Sequence, residues 1–399
     1  MNKLKMKNFL LNFKLLLFSL LFAFTMGEIL VRYSDKIEDL LIQFNLKLSD
    51  KVTALRIPDG YLHHTLRPNV SALSVWGTRK IIYHTNSLGY RDIKQRKISK
   101  KTKSQERILF LGDSFAESVG INYEDSFIFK LESLFNENGK NLEILNAGVV
   151  SLSPSLEYRK LKQFFDVGFI TDKVVLMVDI SDVHDEGVVY LNWEKRDKHS
   201  LANQTPETIS LLTYSAGLYQ VGSSQGKKEE KTFLRIKLFH FLQDRLRHLF
   251  FADDKESINQ IPGDNEEWLT LSPRSKWTES DNLYQTWGKK GVERVKKYIL
   301  KISELCRKHN TNFSFVIYPW PTQLQSKRRP SKQQEVFSEF ALANDLVFYD
   351  LYQDFFILDN WRSYFIYADN HWNEKGHYFI ANLLYEKLSP KNTEIQNTL

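Results

Sequence analysis

The stretch Ile108-Leu-Phe-Leu-Gly112-Asp113-Ser114-Phe115 decides the fold. An unbroken apolar run ending at a glycine reads as a strand buried on both faces of a parallel sheet. A serine set directly after such a strand is displayed at the carboxyl edge of the sheet, and Gly112 lets the chain turn tightly to present it. Working outward, strands are predicted at 107–111, 143–146, 173–178, 312–318 and 346–349, and helices at 126–138, 156–165, 283–309, 332–344 and 374–388. This alternation predicts one open, parallel α/β sheet with helices on both faces. Ligands bind such sheets beyond the carboxyl ends of the strands, so the chemistry belongs in the loops that follow them.

Composition narrows the class further. The chain has 399 residues, 42% of them hydrophobic and 26% charged, with 17 Gly and 10 Pro. That is a globular composition, neither collagenous nor disordered. Cys306 is the only cysteine, which excludes an intrachain disulfide, a cysteine zinc site and a dithiol redox centre. The net charge of +7 is modest for this length and partly N-terminal, so nucleic-acid binding is not predicted. Nothing in the sequence calls for a cofactor.

Lys3, Lys5, Lys7 and Lys14 precede an apolar run from Leu15 to Met26 that continues, past Glu28, to Val31. At about seventeen residues the run lies near the lower limit for a bilayer span. Thr25-Met-Gly27 is a poor cleavage site, so residues 1–34 are predicted to be a retained signal-anchor rather than a cleaved signal. The flanking lysines then place the rest of the chain outside the cytoplasm, periplasmic or at the cell surface. Residues 35–106 are predicted to form an N-terminal cap on the core domain, 107–388, and 389–399 a tail. Residues 186–281 interrupt the α/β alternation as an insertion. Within it, 233–251 reads as a basic amphipathic helix, either packed on protein or lying on an anionic membrane.

A serine hydroxyl is a weak nucleophile until a base takes its proton, so Ser114 requires a histidine at the same edge, oriented by a carboxylate. Asp369-Asn-His371-Trp372 supplies both, just ahead of the last predicted helix. At i and i+2 the two side chains lie on one side of an extended segment. The alternatives are a structural His371 and an Asp369 that caps the helix.

Together, Gly112-Asp-Ser-Phe115 and Asp369-Asn-His371 resemble the first and last blocks of the SGNH/GDSL hydrolase superfamily over residues 107–388, apart from the insertion. The resemblance implies a flavodoxin-like three-layer α/β/α fold, with Ser114 as nucleophile, His371 as base and Asp369 as its orienting acid. The Asp-x-His-Trp form is similar to the branch that includes alginate and cell-wall polysaccharide O-acetylation proteins. Ala368, three residues before His371, cannot serve as the acid. The middle blocks depart from the pattern: Ser151 stands at the usual glycine and Ser181 at the usual asparagine. The implied oxyanion donors are the backbone N–H groups of Ser114 and Ser151 with the Ser181 hydroxyl, and Asn146 is the substitute if Ser181 fails. Tyr318, Trp320, Trp372 and Asn146 are candidate substrate-binding residues. Tyr318 and Trp320 form either a stacking platform for a sugar ring or a hydrophobic plug. His63, His64, His84 and Asn86 are weaker candidates for the same cleft. Asp179, Asp182 and Asp185 recur every three residues, but capping is the better account and no metal is predicted.

The expected function is a membrane-tethered serine ester hydrolase acting on acyl esters, acetyl above all, of an extracytoplasmic polysaccharide. One alternative is an O-acetyltransferase that uses the same acyl-enzyme, supplied by an integral-membrane acyl-donor partner. Another is an inactive glycan-binding or assembly protein that keeps the fold.

Overall fold

The computed structural model describes residues 55–389 except 78, 102–103, 192–272 and 327, together with residues 12–16, 18–19, 22 and 25–26. These N-terminal residues are helical and expose Phe13, Leu15, Leu16, Phe18 and Phe22. The rest of the predicted anchor, residues 35–54 of the cap, the 233–251 helix and the tail beyond 389 lie outside the described residues. Among the described residues no helix is long and apolar enough to cross a membrane. All elements below belong to the unit formed by Thr53–Ser223 and Ile261–Leu399.

Five strands come from the N-terminal extension: β1 (Arg56–Asp59), β2 (His63–Leu66), β3 (Ser71–Trp76), β4 (Arg79–Thr85) and β5 (Arg91–Asp92). Five come from the core: β6 (Glu106–Leu111), β7 (Leu142–Asn146), β8 (Lys173–Val178), β9 (Asn312–Ile317) and β10 (Val347–Asp350). β1 and β2 pair as a separate hairpin, and the other eight form one sheet in the order β10-β9-β8-β6-β7-β5-β4-β3. The core strands are parallel, and their order, renumbered from β6, is 2-1-3-4-5, the flavodoxin-like arrangement. Its switch point lies between β6 and β8. Leu109, Phe110 and Leu111 are fully buried there, as expected for strands covered on both faces.

The extension is not a separate cap. β5, β4 and β3 continue the sheet beyond β7 as antiparallel strands, which makes the sheet mixed rather than wholly parallel. In β4, Ile81, Tyr83 and Thr85 are buried while Lys80 and Ile82 face out, the period-two pattern of a half-solvated antiparallel strand.

Among the described residues the α-helices of four or more residues are α1 (Ser114–Glu117), α2 (Phe127–Glu137), α3 (Pro154–Asp166), α4 (Lys289–Lys308), α5 (Pro321–Gln325), α6 (Lys332–Ala343), α7 (Tyr352–Phe356) and α8 (Glu374–Leu388). Right-handed crossovers running one way from β6 to β7 and back from β7 to β8 put α2 and α3 on opposite faces. α8 packs beside α2 and α4 beside α3, which completes three layers. α4 buries Val292, Val295, Ile299, Ile302 and Cys306, a stripe at helical spacing. The ends of the expected insertion belong to the core. Trp277, in a 3-10 turn at Pro273–Thr278, is buried and donates Nε1–H to the Ile180 carbonyl at 2.9 Å, and Arg274 pairs with Asp185.

Candidate active site

β6 ends at Leu111, and the chain turns through Gly112 at φ +151° into α1. A Cβ on Gly112 would sit 2.7 Å from Ala116 Cβ and 2.9 Å from Met177 Cβ, so the turn has no room for a side chain. Asp113 caps α1 by accepting from the Phe115 N–H at 3.0 Å, which leaves Ser114 as the first helical residue, 2% exposed.

His371 reaches Ser114 from 257 positions away. The Ser114 hydroxyl lies 2.8 Å from Nε2, and Nδ1 lies 2.5 Å from Asp369 Oδ1. The His371 backbone N–H donates to the same oxygen at 2.9 Å, while Asp369 Oδ2 accepts Nε1–H of Trp76 at 2.8 Å. With Nδ1–H directed at the carboxylate, Nε2 is the acceptor for the Ser114 proton; the tautomer follows from the partners. Burial works against a charged His371, but Asp369, with Asp113 and Asp179 adding to it, holds the imidazole pKa above its ordinary value. Burial likewise works to raise Asp369, yet His371 and the donated hydrogen bonds, Trp76 among them, hold the carboxyl below its ordinary value. Asp369 does not cap the last helix. Asn373 does, accepting from the Gly376 N–H at 3.0 Å.

The loop after β7 packs against α1 so closely that a Cβ on Gly148 would lie 2.4 Å from the Glu117 nitrogen. Ser151, left-handed at φ +57°, has its carbonyl held by the Tyr190 hydroxyl at 2.7 Å. Its N–H makes no hydrogen bond among the described residues. The N–H of Ser114 is likewise a first-turn donor without an intrahelical acceptor.

Three expectations are corrected. The Ser181 hydroxyl is not directed at the nucleophile: it donates to Asp179 Oδ1 at 2.5 Å, and its N–H donates to the same oxygen at 2.7 Å. Asn146 is fully buried and engaged at both ends, donating to the Ala116 carbonyl at 2.9 Å and accepting from the Gly148 N–H at 3.0 Å. It braces the nucleophile turn against the Ser151 loop and is not available to a substrate. Tyr318, Trp320 and Trp372 are all buried around Phe115, with ring centroids 4.9, 6.1 and 4.8 Å away, and Trp320 donates Nε1–H to Asp179 Oδ2 at 2.7 Å. They are the hydrophobic plug under the sheet edge, because adjacent strand-end aromatics meet the core before they meet solvent.

The weaker candidates are structural too. His84 lies 2.7 Å from the Ser71 hydroxyl, and Asn86 donates to Asp92 at 3.0 Å. His63 and His64 face each other through Nδ1 at 2.9 Å, and His64 Nε2 lies 2.6 Å from the Val150 carbonyl. Burial lowers the His64 pKa to about 4, so it is a neutral brace on the Ser151 loop. Asp182 accepts from the Asp179 N–H at 2.8 Å, and Asp185 pairs with Arg274. Among the described residues no group of three or more His, Cys, Asp or Glu is arranged to hold a metal ion. The carboxyls beneath the nucleophile nonetheless form a buried acidic floor. Burial, with Asp179 beside it, pushes Asp113 up to about 8, and burial raises Asp179, Asp182 and Glu157 as well.

Sequence reasoning missed three supports. Trp76 has no local signature, since its partner lies 293 positions away. Glu117, fully buried, pairs with Arg56 and accepts from the Val150 N–H at 2.8 Å. Tyr190 stands at the edge of the described insertion.

No family model and no curated protein matches the chain. Solved structures that it resembles include GDSL-family lipolytic proteins and acetylxylan esterases. A lipolytic protein of the G-D-S-L family from Veillonella parvula is 11% identical, with 70% of this chain and 97% of that one covered at a TM-score of 0.37. A catalytic mutant of an acetylxylan esterase from Geobacillus stearothermophilus is 11% identical over 73% of this chain and 96% of that one, at 0.36. TesA is 8% identical over 71% and 99%, at 0.37. At these values the likeness carries no weight for function, and the side-chain geometry has to supply it.

Proposed function

We propose that the chain is a serine ester hydrolase of the SGNH/GDSL type, acting on acyl esters, acetyl above all, of an extracytoplasmic polysaccharide. The observation that carries the proposal is the unbroken line from Ser114 Oγ through His371 to Asp369, at 2.8 and 2.5 Å. Ser114 Oγ attacks the ester carbonyl carbon as His371 Nε2 takes its proton. The imidazolium, held by Asp369, returns that proton to the departing alcohol, and water activated by the same nitrogen discharges the acyl-enzyme. The N–H groups of Ser114 and Ser151 stabilise the oxyanion. With Ser181 and Asn146 both engaged elsewhere, the hole has no side-chain donor from either, and losing one donor typically costs about 10²–10³ in rate. The enzyme is therefore slow on simple esters. The polysaccharide substrate, tethering through residues 1–34 and an outward-facing domain are part of the proposal. They rest on the Asp-x-His-Trp block and the lysine-flanked apolar run.

Acetate release from p-nitrophenyl acetate by the full chain, compared with Ser114→Ala and His371→Ala, tests it. Release lost in both variants supports the hydrolase. Release equal in all three proteins refutes it. Acetyl appearing on an added oligosaccharide instead of in solution would make the chain a transferase that uses the same acyl-enzyme.

A further inference from the structure

The end of the β3–β4 hairpin reaches the loop that carries Asp369 and His371 and the start of α8 that follows it, holding each at one point. Trp76, the last residue of β3, donates Nε1–H to Asp369 Oδ2 at 2.8 Å, and its ring stands edge-on to the His371 imidazole, centroids 4.9 Å apart at 86°. Arg79, the first residue of β4, pairs with Glu374 at 2.7 Å and donates to the Gly120 carbonyl at 3.1 Å. The fit is close: a Cβ on Gly120 would lie 3.0 Å from Trp76 Cδ1.

Asp369 needs such a clamp. Both hydrogen bonds from His371 fall on Oδ1, and the side chain is 24% exposed. Without a donor on Oδ2 the carboxylate is free to rotate toward solvent and leave Nδ1–H without its acceptor. The indole supplies that donor, and its ring covers the edge of the imidazole. We propose that Trp76 is a positioning residue of the proton relay, holding Asp369 in register with His371, so that the N-terminal extension completes an active site whose other members all come from the core. The proposal rests on the ester-hydrolase reading of Ser114, His371 and Asp369.

The electrostatic consequence has a definite sign. With Asp369 held against Nδ1–H the imidazolium is favoured; once the carboxylate turns away that support weakens, the His371 pKa falls, and the acid limb of kcat/KM moves to lower pH. Asp113 and Asp179, the other carboxyls that bear on His371, are untouched by a change at position 76.

The test is the full chain carrying Trp76→Phe, which keeps a ring against His371 and removes the donor. A second variant with benzothienylalanine at position 76 keeps the indole shape and replaces only the N–H. Partners that orient metal-bound histidines typically contribute 10- to 100-fold, and carrying the lower end of that range over to Asp369 gives an expected fall in kcat of about tenfold in both variants. KM should stay unchanged and the acid limb should move to lower pH. Parent-like kcat and an unmoved limb would overturn the proposal, as would a fall in kcat with an unmoved limb, which marks a packing role only. Phosphorylation of Ser114 by diethyl p-nitrophenyl phosphate separates the two levels. A parent that neither turns over ester nor takes up the phosphoryl group refutes the hydrolase reading itself. A parent that does both while the variants match it refutes only the role of Trp76.

Discussion

Asn146→Ala separates a brace from a substrate contact. The side chain is buried at the end of β7, where it closes one hydrogen bond to the Ala116 carbonyl and one from the Gly148 N–H. Alanine leaves the buried Gly148 N–H without a partner and the Ala116 carbonyl with only the Ser118 hydroxyl at 3.3 Å. The orphaned N–H costs roughly 1–3 kcal/mol and the lost bond to the Ala116 carbonyl about 0.5–1.5 kcal/mol, so a loss of roughly 1.5–4.5 kcal/mol is expected. That spans the upper half of the ordinary effect of a point substitution, about 0.5–3 kcal/mol, and reaches beyond it. Urea unfolding followed by circular dichroism should show a lower midpoint with an unchanged slope. Because the brace also sets the distance from α1 to the Ser151 loop, kcat on p-nitrophenyl acetate should fall while KM stays near the parent value. Parent-like stability with a raised KM would refute the reasoning and return Asn146 to the substrate cleft.

Trp320→Phe removes the indole donor to the buried Asp179. It should destabilise the chain by roughly 1.5–3 kcal/mol, the range for hydrogen bonds to charged groups, with KM for oligosaccharide esters unchanged; a raised KM at full stability would restore the stacking platform. Catalysis needs neutral His371, whose pKa is held above 6.5, so the acid limb of kcat/KM should lie above that value and move down in Asp369→Asn, and a limb at or below 6.5 in the parent would contradict the assignment. By linkage, the raised His371 pKa contributes stability that is full below the unfolded value and lost as pH rises through the folded one. Glu157 is buried with both carboxyl oxygens unpartnered, and burial raises its pKa well above 4.5. The folded state therefore keeps a proton that the unfolded chain gives up, and stability falls as pH rises beyond the unfolded value. The melting-temperature advantage of Glu157→Gln should grow between pH 5 and pH 9, and a constant difference would show that Glu157 holds no proton.

Much of the core was legible because its physics is local. Strands covered on both faces must be continuously apolar, and the runs at 107–111 and 173–178 have no other good account. Ser114, His371 and Asp369 were legible for a related reason: a turn after a strand and an i, i+2 pair before a helix each fix a position at the same sheet edge. What escaped depends on contacts the chain does not announce. β4 signals only a half-buried strand, and nothing local says that it extends the core sheet. Ser181 stands where an oxyanion donor was expected, but a hydroxyl two residues from Asp179 bonds to that carboxylate first. Tyr318 and Trp320 read equally well as platform or plug, and only the packing around Phe115 decides between them.

The central claim is that His371 activates Ser114 as a nucleophile, and intact-mass spectrometry after exposure of the full chain to diethyl p-nitrophenyl phosphate tests it most directly. One diethylphosphoryl group should appear, mapped to Ser114. It should be absent in Ser114→Ala and formed far more slowly in His371→Ala. An unlabelled parent, or labelling at a rate indifferent to His371, would contradict the account.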